Sequence, residues 1–109
     1  MEEYYVTGYV YFIQAGDDLA IKIGSKIEPL AKRILKLQTA NHLKLRLVGA
    51  IDLRKLTGLD TLGRVEFSIL AKRKEAEIQA RFSGARIHGE WFNITNDLVN
   101  YIEQVSNVN

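Results

Sequence analysis

The sequence lacks cysteine, a long apolar run and a signal-peptide pattern, and each absence excludes a class of structure. Cysteine does not occur among its 109 residues, which excludes disulfides and thiolate metal sites and is typical of proteins from a reducing cytoplasm. A run of about 18 apolar residues, as a transmembrane helix requires, is also missing. The acidic start, Met1–Tyr4, lacks the basic and then apolar pattern of a signal peptide. We therefore expect a cytoplasmic protein without membrane association.

Positive charge is missing from one part of the chain and concentrated in the next. Residues 1–21 contain no Lys or Arg, whereas residues 22–46 contain seven basic residues and a single acidic residue, Glu28. The net charge of the whole chain is only +2. A local positive segment on a nearly neutral chain is typical either of a surface that binds an anionic partner or of a solvated helix face.

Two apolar segments near the N-terminus indicate a β-hairpin. Gly8–Ile13 and Ile21–Gly24 are rich in β-branched and aromatic residues, and residues 14–18 between them contain the Gly and Asp that favour turns. Because alternate side chains of a strand face opposite ways, Tyr9 and Tyr11 share one face.

Lys22 lies on the partner strand of this hairpin. Phenols and an amine on neighbouring strands have two interpretations, because aromatic residues in sheets commonly just pack. The alternative is that they take part in chemistry.

Strand and helix periods alternate along the next part of the chain. Apolar spacing predicts a first helix over about 28–38, with a basic outer face, and then a half-buried strand over 43–53. Residues 54–70 are less clear, because the alternation at 65–69 fits a strand or a helix that begins near Val65. From about Ala71 helical spacing resumes and continues to about Gly84.

The C-terminal part has one extended segment and one helix. Trp91–Ile94 is extended, and Thr95 is a candidate N-cap for a last helix over about 96–106. The tail from Ser106 to Asn109 offers nothing to anchor it. The residues expected to face inward from this helix are Leu98, Val99, Ile102 and Val105.

This order of elements predicts one α+β domain over residues 1–109. We expect a small three-stranded, mostly antiparallel sheet flanked by helices. The core would span about 6–94, followed by the C-terminal helix.

Four short sequence motifs, in their order along the chain, resemble those of the GIY-YIG nuclease superfamily. They are most similar to a branch of short phage, bacterial and fungal domains with KIG as the second motif and a GEWF motif near the end. The motifs are Gly8–Ile13, Lys22–Gly24, Leu37–Asn41 and Gly89–Phe92. The structural residues that this resemblance implies are Gly8, Tyr9, Gly24, Trp91 and Phe92.

The resemblance implies a catalytic role for four residues in the hydrolysis of phosphodiester bonds. Tyr11 would be the general base, for which a phenol with an ordinary pKa of about 10 needs nearby positive charge. Lys22 would assist Tyr11 or the water, and Arg33 would orient the scissile phosphate. Glu75 would hold a divalent cation. We expect these four residues to converge on one concave surface.

The implied cofactor is one Mg²⁺ or Mn²⁺ ion, held mainly by Glu75. Zinc does not fit, because the chain has no Cys and only two His, His42 and His88. Two positions depart from the pattern of the branch: Lys22 replaces the second Tyr of the name motif, and Gln79 stands where a His often follows the glutamate.

The leading hypothesis is a metal-dependent DNA endonuclease. The alternatives are a nucleic-acid-binding module of the same fold without cleavage and a protein-interaction domain. We expect DNA as the partner, with specificity supplied by a separate targeting protein or by self-association. The residues predicted to contact nucleic acid, on the side of the molecule that carries the site, are Lys26, Arg33, Lys36, His42, Lys44 and Arg46.

Overall fold

The computed structural model describes residues 5–17 and 19–108. Expectations about Met1–Tyr4, about Asn109 and about Asp18 in the hairpin loop lie outside the described residues. The elements are, in chain order, β1 (Tyr9–Ala15), β2 (Ala20–Lys26), α1 (Leu30–Thr39), β3 (Leu45–Asp52), α2 (Leu53–Thr57), α3 (Arg64–Arg81), a 3-10 turn (Ser83–Ala85), β4 (Arg86–His88), β5 (Trp91–Phe92) and α4 (Asn96–Val105).

The sheet is antiparallel and has five strands in the order β3-β1-β2-β5-β4. The predicted α+β class is confirmed, and the predicted number of three strands is wrong. The additional strands β4 and β5 contain three and two residues, which is too short to produce a recognisable alternation in the sequence. Gly89, at φ +54°, provides the left-handed residue between them.

The two faces of the sheet pack against different helices. The face called here the α1 face carries Tyr11, Ile13 and Ala15 of β1 and packs on the apolar side of α1. The opposite face, called here the α3/α4 face, carries Val10 and Phe12 and packs on both α3 and α4. No residue of α1 is fully buried, so this helix covers the α1 face but is itself not enclosed by other elements.

Helix α3 begins at Arg64, which resolves the ambiguity at 65–69 in favour of a helix. Phe67, Ala71 and Ile78 are its buried residues, and they follow helical spacing. Val65 and Ile69 also fit the strand-like alternation, but they are 70% and 47% exposed. The alternation at 65–69 therefore does not reflect a buried strand face.

The C-terminal helix begins at its expected cap, because Thr95 Oγ1 accepts a hydrogen bond from Leu98 N at 3.1 Å. Val99 is 36% exposed and Tyr101 is buried, so the expectation that Val99 faces inward is wrong. Within the described residues, no helix combines the length and the apolar character needed to cross a membrane.

Ser106 and Asn107 are anchored, contrary to the expectation that nothing holds this segment. Asn107 N donates to Ala50 O at 3.0 Å, and Asn107 Oδ1 accepts from Asp52 N at 2.6 Å. Ser106 Oγ accepts from Ala50 N at 3.1 Å. These bonds cover the outer edge of β3, a strand that has only one strand neighbour.

Candidate active site on the α1 face and at the β2 edge

Tyr11 lies directly over Gly24. The two residues are partners in the register of β1 and β2, and Tyr11 is only 1% exposed. A Cβ atom at position 24 would lie 2.5 Å from Tyr11 Cζ and 2.8 Å from Tyr11 Cε1, closer than real Cβ contacts allow. The glycine of the Lys22–Gly24 motif therefore makes room for the phenol.

Arg33 reaches the same phenol from α1. Its Nε donates to Tyr11 Oη at 3.3 Å, and its guanidinium carbon lies 6.0 Å from the centroid of the Tyr11 ring. In the described residues, this is the only protein hydrogen bond from the Arg33 side chain. The two terminal nitrogens of the guanidinium fork are thus available for an anion.

Lys22 lies on the α1 face, two residues before Gly24 on β2. Its Nζ forms an ion pair with Glu90 Oε2 at 2.8 Å and lies 5.5 Å from the centroid of the Trp91 ring. The Lys22 side chain is only 15% exposed. Sequence reasoning assigned no chemistry to Glu90, because nothing in the local pattern indicates that the β4–β5 turn meets β2.

Glu75 reaches the sheet from α3, at an edge of β2 that has no strand partner. β5 pairs with β2 only at Ile21 and Lys22. Beyond this pairing, Ser25 Oγ donates to Glu75 Oε1 at 2.7 Å. Burial raises the pKa of Glu75, the hydrogen bond from Ser25 opposes this rise, and the negative charge of Glu90 adds to it.

Gln79 holds the Glu75 carboxylate in place. Its Nε2 donates to Glu75 Oε2 at 3.2 Å and to Ile23 O at 2.9 Å, while its Oε1 accepts from Arg86 at 2.7 Å. The spacing of four residues from Glu75 is the signal that could have identified this contact from the sequence. Gln79 is therefore a positioning residue in a place where the sequence showed only a missing histidine.

The four predicted catalytic residues form two groups, which differs from the single concave surface expected from the sequence. Tyr11, Arg33 and Lys22 lie on the α1 face, whereas Ser25 faces the other way and leads to Glu75. No hydrogen bond or ion pair joins Glu75 to the other three within residues 5–17 and 19–108. The charges of the Lys22–Glu90 pair act on Glu75 in opposite directions, because Glu90 raises the pKa of Glu75 and Lys22 lowers it.

The predicted nucleic-acid contacts lie on more than one side of the sheet. Lys26 is exposed on the α1 face, two residues after Gly24. Lys36 is exposed, but its Nζ pairs with Glu28 at 2.9 Å, and this bond lowers the pKa of Glu28. Arg46 pairs with Gln14 in register and projects from the α3/α4 face, which differs from the expected common side. Lys44 and His42 are exposed just before β3.

The other glycine of the motif region permits close packing of α3. A Cβ atom at Gly8 would lie 2.5 Å from Phe67 O and 2.9 Å from Ala71 Cβ. Phe92 is fully buried and Trp91 is partly buried.

The donor set around Glu75 fits a hard cation bound by a single carboxylate better than a metal ion that needs three or more protein ligands. No group of three or more His, Cys, Asp and Glu residues that could hold a metal ion occurs in the part of the chain that the structure describes. A hard cation bound by one carboxylate, with water and phosphate oxygens as its other ligands, needs no such group. Each Glu75 oxygen accepts one protein hydrogen bond and retains a second lone pair.

Comparison with known proteins gives one match that spans most of the chain. The sequence profile of the T5orf172 domain matches residues 8–108. Neither a curated protein nor a solved structure matches the chain significantly. The match begins at the glycine before β1 and includes every residue of the candidate site. The chain therefore belongs to the T5orf172 domain family, a phage-associated domain of the nuclease type.

Proposed function

We propose that this protein is a metal-dependent DNA endonuclease of the GIY-YIG type. The observation that carries the proposal is the contact between Tyr11 and Arg33 over Gly24. The phenol oxygen of Tyr11 lies beside a guanidinium whose two terminal nitrogens make no protein hydrogen bond among the described residues. The membership of a nuclease-type family supports the same conclusion.

Each site residue has a role that follows from its contacts. Arg33 binds the scissile phosphate through its terminal nitrogens, which brings the phosphate next to the Tyr11 phenol. Tyr11, in its phenolate form, takes the proton from the attacking water and becomes the neutral phenol. Lys22, held by Glu90 beside Trp91, supplies a second positive charge. A Mg²⁺ or Mn²⁺ ion on Glu75 would stabilise the charge that develops on the phosphoryl and leaving oxygens.

A second candidate function is DNA binding by the same fold without cleavage. Two observations favour it: Tyr11 is almost fully buried, and both Glu75 oxygens already accept protein hydrogen bonds. The two functions differ in whether the phosphodiester bond is broken. Both predict binding of DNA.

Plasmid nicking with Mg²⁺ or Mn²⁺ separates the two functions. Glu75→Gln removes the proposed metal ligand. Glu77→Gln is its matched control, since Glu77 is exposed on the same helix and, among the described residues, pairs with Lys74 alone. We expect wild type and Glu77→Gln to nick the plasmid and Glu75→Gln to bind it without nicking. Equal nicking by all three proteins would contradict the role of Glu75. Binding by the wild type without nicking under either ion would replace the enzyme with the binding module.

The phenol is tested in the same assay with a second pair of variants. Tyr11→Phe keeps the ring over Gly24 but removes the oxygen that contacts Arg33, and we expect nicking to slow by about 10²–10⁴. Tyr9→Phe is the control, because Tyr9 lies on the same face of β1. Burial, followed by the charge of Asp52, raises the pKa of Tyr9, so the phenolate form that a base requires is less populated at this position. An unchanged rate in Tyr11→Phe would assign the base to another group.

A further inference from the structure

A cleft of about 360 Å³ opens on the α1 face where the β1–β2 hairpin turns. Its floor contains Ala15 and Ala20, which are direct partners across the hairpin. Because both side chains are single methyl groups, they leave depth at this end of the sheet. None of the roles proposed above for the active site uses this space.

One wall of the cleft is aromatic and is shared with the active site. Trp91 lines the cleft, and Lys22 Nζ lies 5.5 Å from the centroid of the same ring. The wall continues with Ile87, which is 47% exposed, and with His88. A group that enters the cleft is therefore next to Lys22, which supplies the second positive charge in the proposed function.

The opposite wall is the connection between α1 and β3, and side-chain hydrogen bonds hold it in shape. Gln38 Nε2 donates to Leu43 O at 2.8 Å and to Asn41 O at 3.2 Å, while Gln38 Oε1 accepts from Leu45 N at 2.8 Å. Asn41 Oδ1 also accepts from Leu43 N at 2.9 Å. With its backbone tied in this way, the wall exists before any ligand binds. His42 lines the cleft from this side.

We propose that the cleft binds an unpaired nucleobase of the DNA strand whose phosphate contacts Lys22 and Arg33. The path of the strand rests on the function proposed above. A base has apolar faces and polar edges, and the cleft offers an indole ring and aliphatic side chains together with His42 and His88. Stacking on an aromatic side chain is the usual way to hold a single base, and it tolerates any base identity. A base that remains paired in a duplex cannot reach such a cleft.

The preferred substrate is accordingly DNA with an unpaired nucleotide close to the scissile phosphate, as at a bulge, a flap or a single-stranded junction. A fully paired duplex can still contact Lys22, Arg33 and Lys26 through its phosphates. The cleft thus adds a preference for an unpaired base over a paired base, and no preference for a particular DNA sequence.

The test compares two labelled duplexes that differ in one position. The first has a single unpaired thymidine, and the second has an abasic unit at the same position, so that backbone charge and shape are matched. Affinity is measured by fluorescence anisotropy in EDTA, which prevents cleavage. We expect the wild type to bind the thymidine duplex about tenfold more tightly. Trp91 is the only tryptophan of the chain, so quenching of its emission by the first duplex alone locates the base.

Two variants and one control test the location. Ala20→Leu fills the floor, and Ile87→Ser removes an exposed apolar wall without disturbing the core. Ile69→Ser is the matched control, because Ile69 is also 47% exposed but lies on α3. We expect Ala20→Leu and Ile87→Ser to lower the preference to less than about threefold, and Ile69→Ser to retain it. If Ala20→Leu unfolds, Ile87→Ser decides the question.

The outcomes distinguish this inference from the proposed function. Equal affinity of the wild type for both duplexes overturns the base cleft and leaves the endonuclease unaffected. A clear preference combined with an absence of nicking overturns the enzyme and supports the cleft. Failure to bind either duplex overturns both.

Discussion

Gly24→Ala places one methyl group against the Tyr11 ring, and we expect it to displace the ring and lower the stability of the protein. The added Cβ would lie 2.5 Å from Tyr11 Cζ. The ring has little room to retreat, because Tyr11 is 1% exposed and is packed within a cluster that includes Ile13 and Ala50. Overpacking of this kind costs about 1–3 kcal/mol. The lower chain entropy of the unfolded alanine variant returns about 0.4–1 kcal/mol.

The net expectation is a loss of about 0–2.6 kcal/mol in the free energy of unfolding relative to wild type, and of about 1–3 kcal/mol relative to an alanine control that has the same entropy gain. Urea unfolding followed by far-UV circular dichroism measures it. Gly84→Ala is the control, because no atom lies within 4 Å of a Cβ built there and no positive φ is involved. The displaced phenol should also lose its contact with Arg33, so nicking should fall together with stability.

A double-mutant cycle identifies the Tyr11 ring as the cause. Tyr11→Leu lacks the hydroxyl oxygen and the two ring carbons that crowd position 24, so in this background Gly24→Ala should cost at least about 1 kcal/mol less. Additive effects would show that the glycine is needed for another reason. A Gly24→Ala protein as stable as Gly84→Ala would refute the packing argument itself.

Three further predictions concern the hydrogen bonds of Asp52, the pKa of Tyr5 and the charges that contact DNA. Asp52→Ala should lower the free energy of unfolding by about 3 kcal/mol in a urea titration, since it removes the N-cap of α2 and the carboxylate that Thr7 and Tyr5 contact at 2.6 Å. A loss below about 1 kcal/mol would contradict this. Partial burial and the bond to Asp52 raise the pKa of Tyr5 to about 12 from 10.0. The unfolded chain thus loses this proton first, and stability should fall from about pH 10 to pH 12 more steeply in wild type than in Tyr5→Phe. Lys26→Ala should reduce the slope of log affinity for DNA against log salt by about one, whereas Arg46→Ala, on the opposite face, should leave it unchanged. Equal effects of these two variants would mean that DNA is not bound on the α1 face.

Local patterns in the sequence were sufficient for the elements that carry most of the proposed chemistry. The alternation around Tyr11 and the turn residues after it predicted the β1–β2 hairpin, and the strand period placed Tyr11 and Gly24 in defined phases. Helical spacing placed Arg33 on the first helix, which the structure gives as Leu30–Thr39. These properties depend on residues a few positions apart, and periodicity records them directly.

The contacts that shape the site depend on residues that lie far apart in the chain, and only the tertiary structure decided them. Glu90 meets Lys22, and Ser25 meets Glu75 across 50 positions of sequence. Strands β4 and β5 are too short to be recognised before they pair. Their short pairing with β2 leaves the edge at which Glu75 arrives.

The sequence by itself thus determined which residue types are available and, for the β1–β2 hairpin, on which face they lie, since the phase of a strand side chain is a local property. The tertiary structure decided that Tyr11, Lys22 and Arg33 share the α1 face, whereas Glu75 of α3 contacts Ser25 at the unpaired edge of β2. It also decided that Arg46 projects from the other side. The physical reason is that the relative placement of elements is set by packing and edge pairing between distant segments, which periodicity within one segment does not encode.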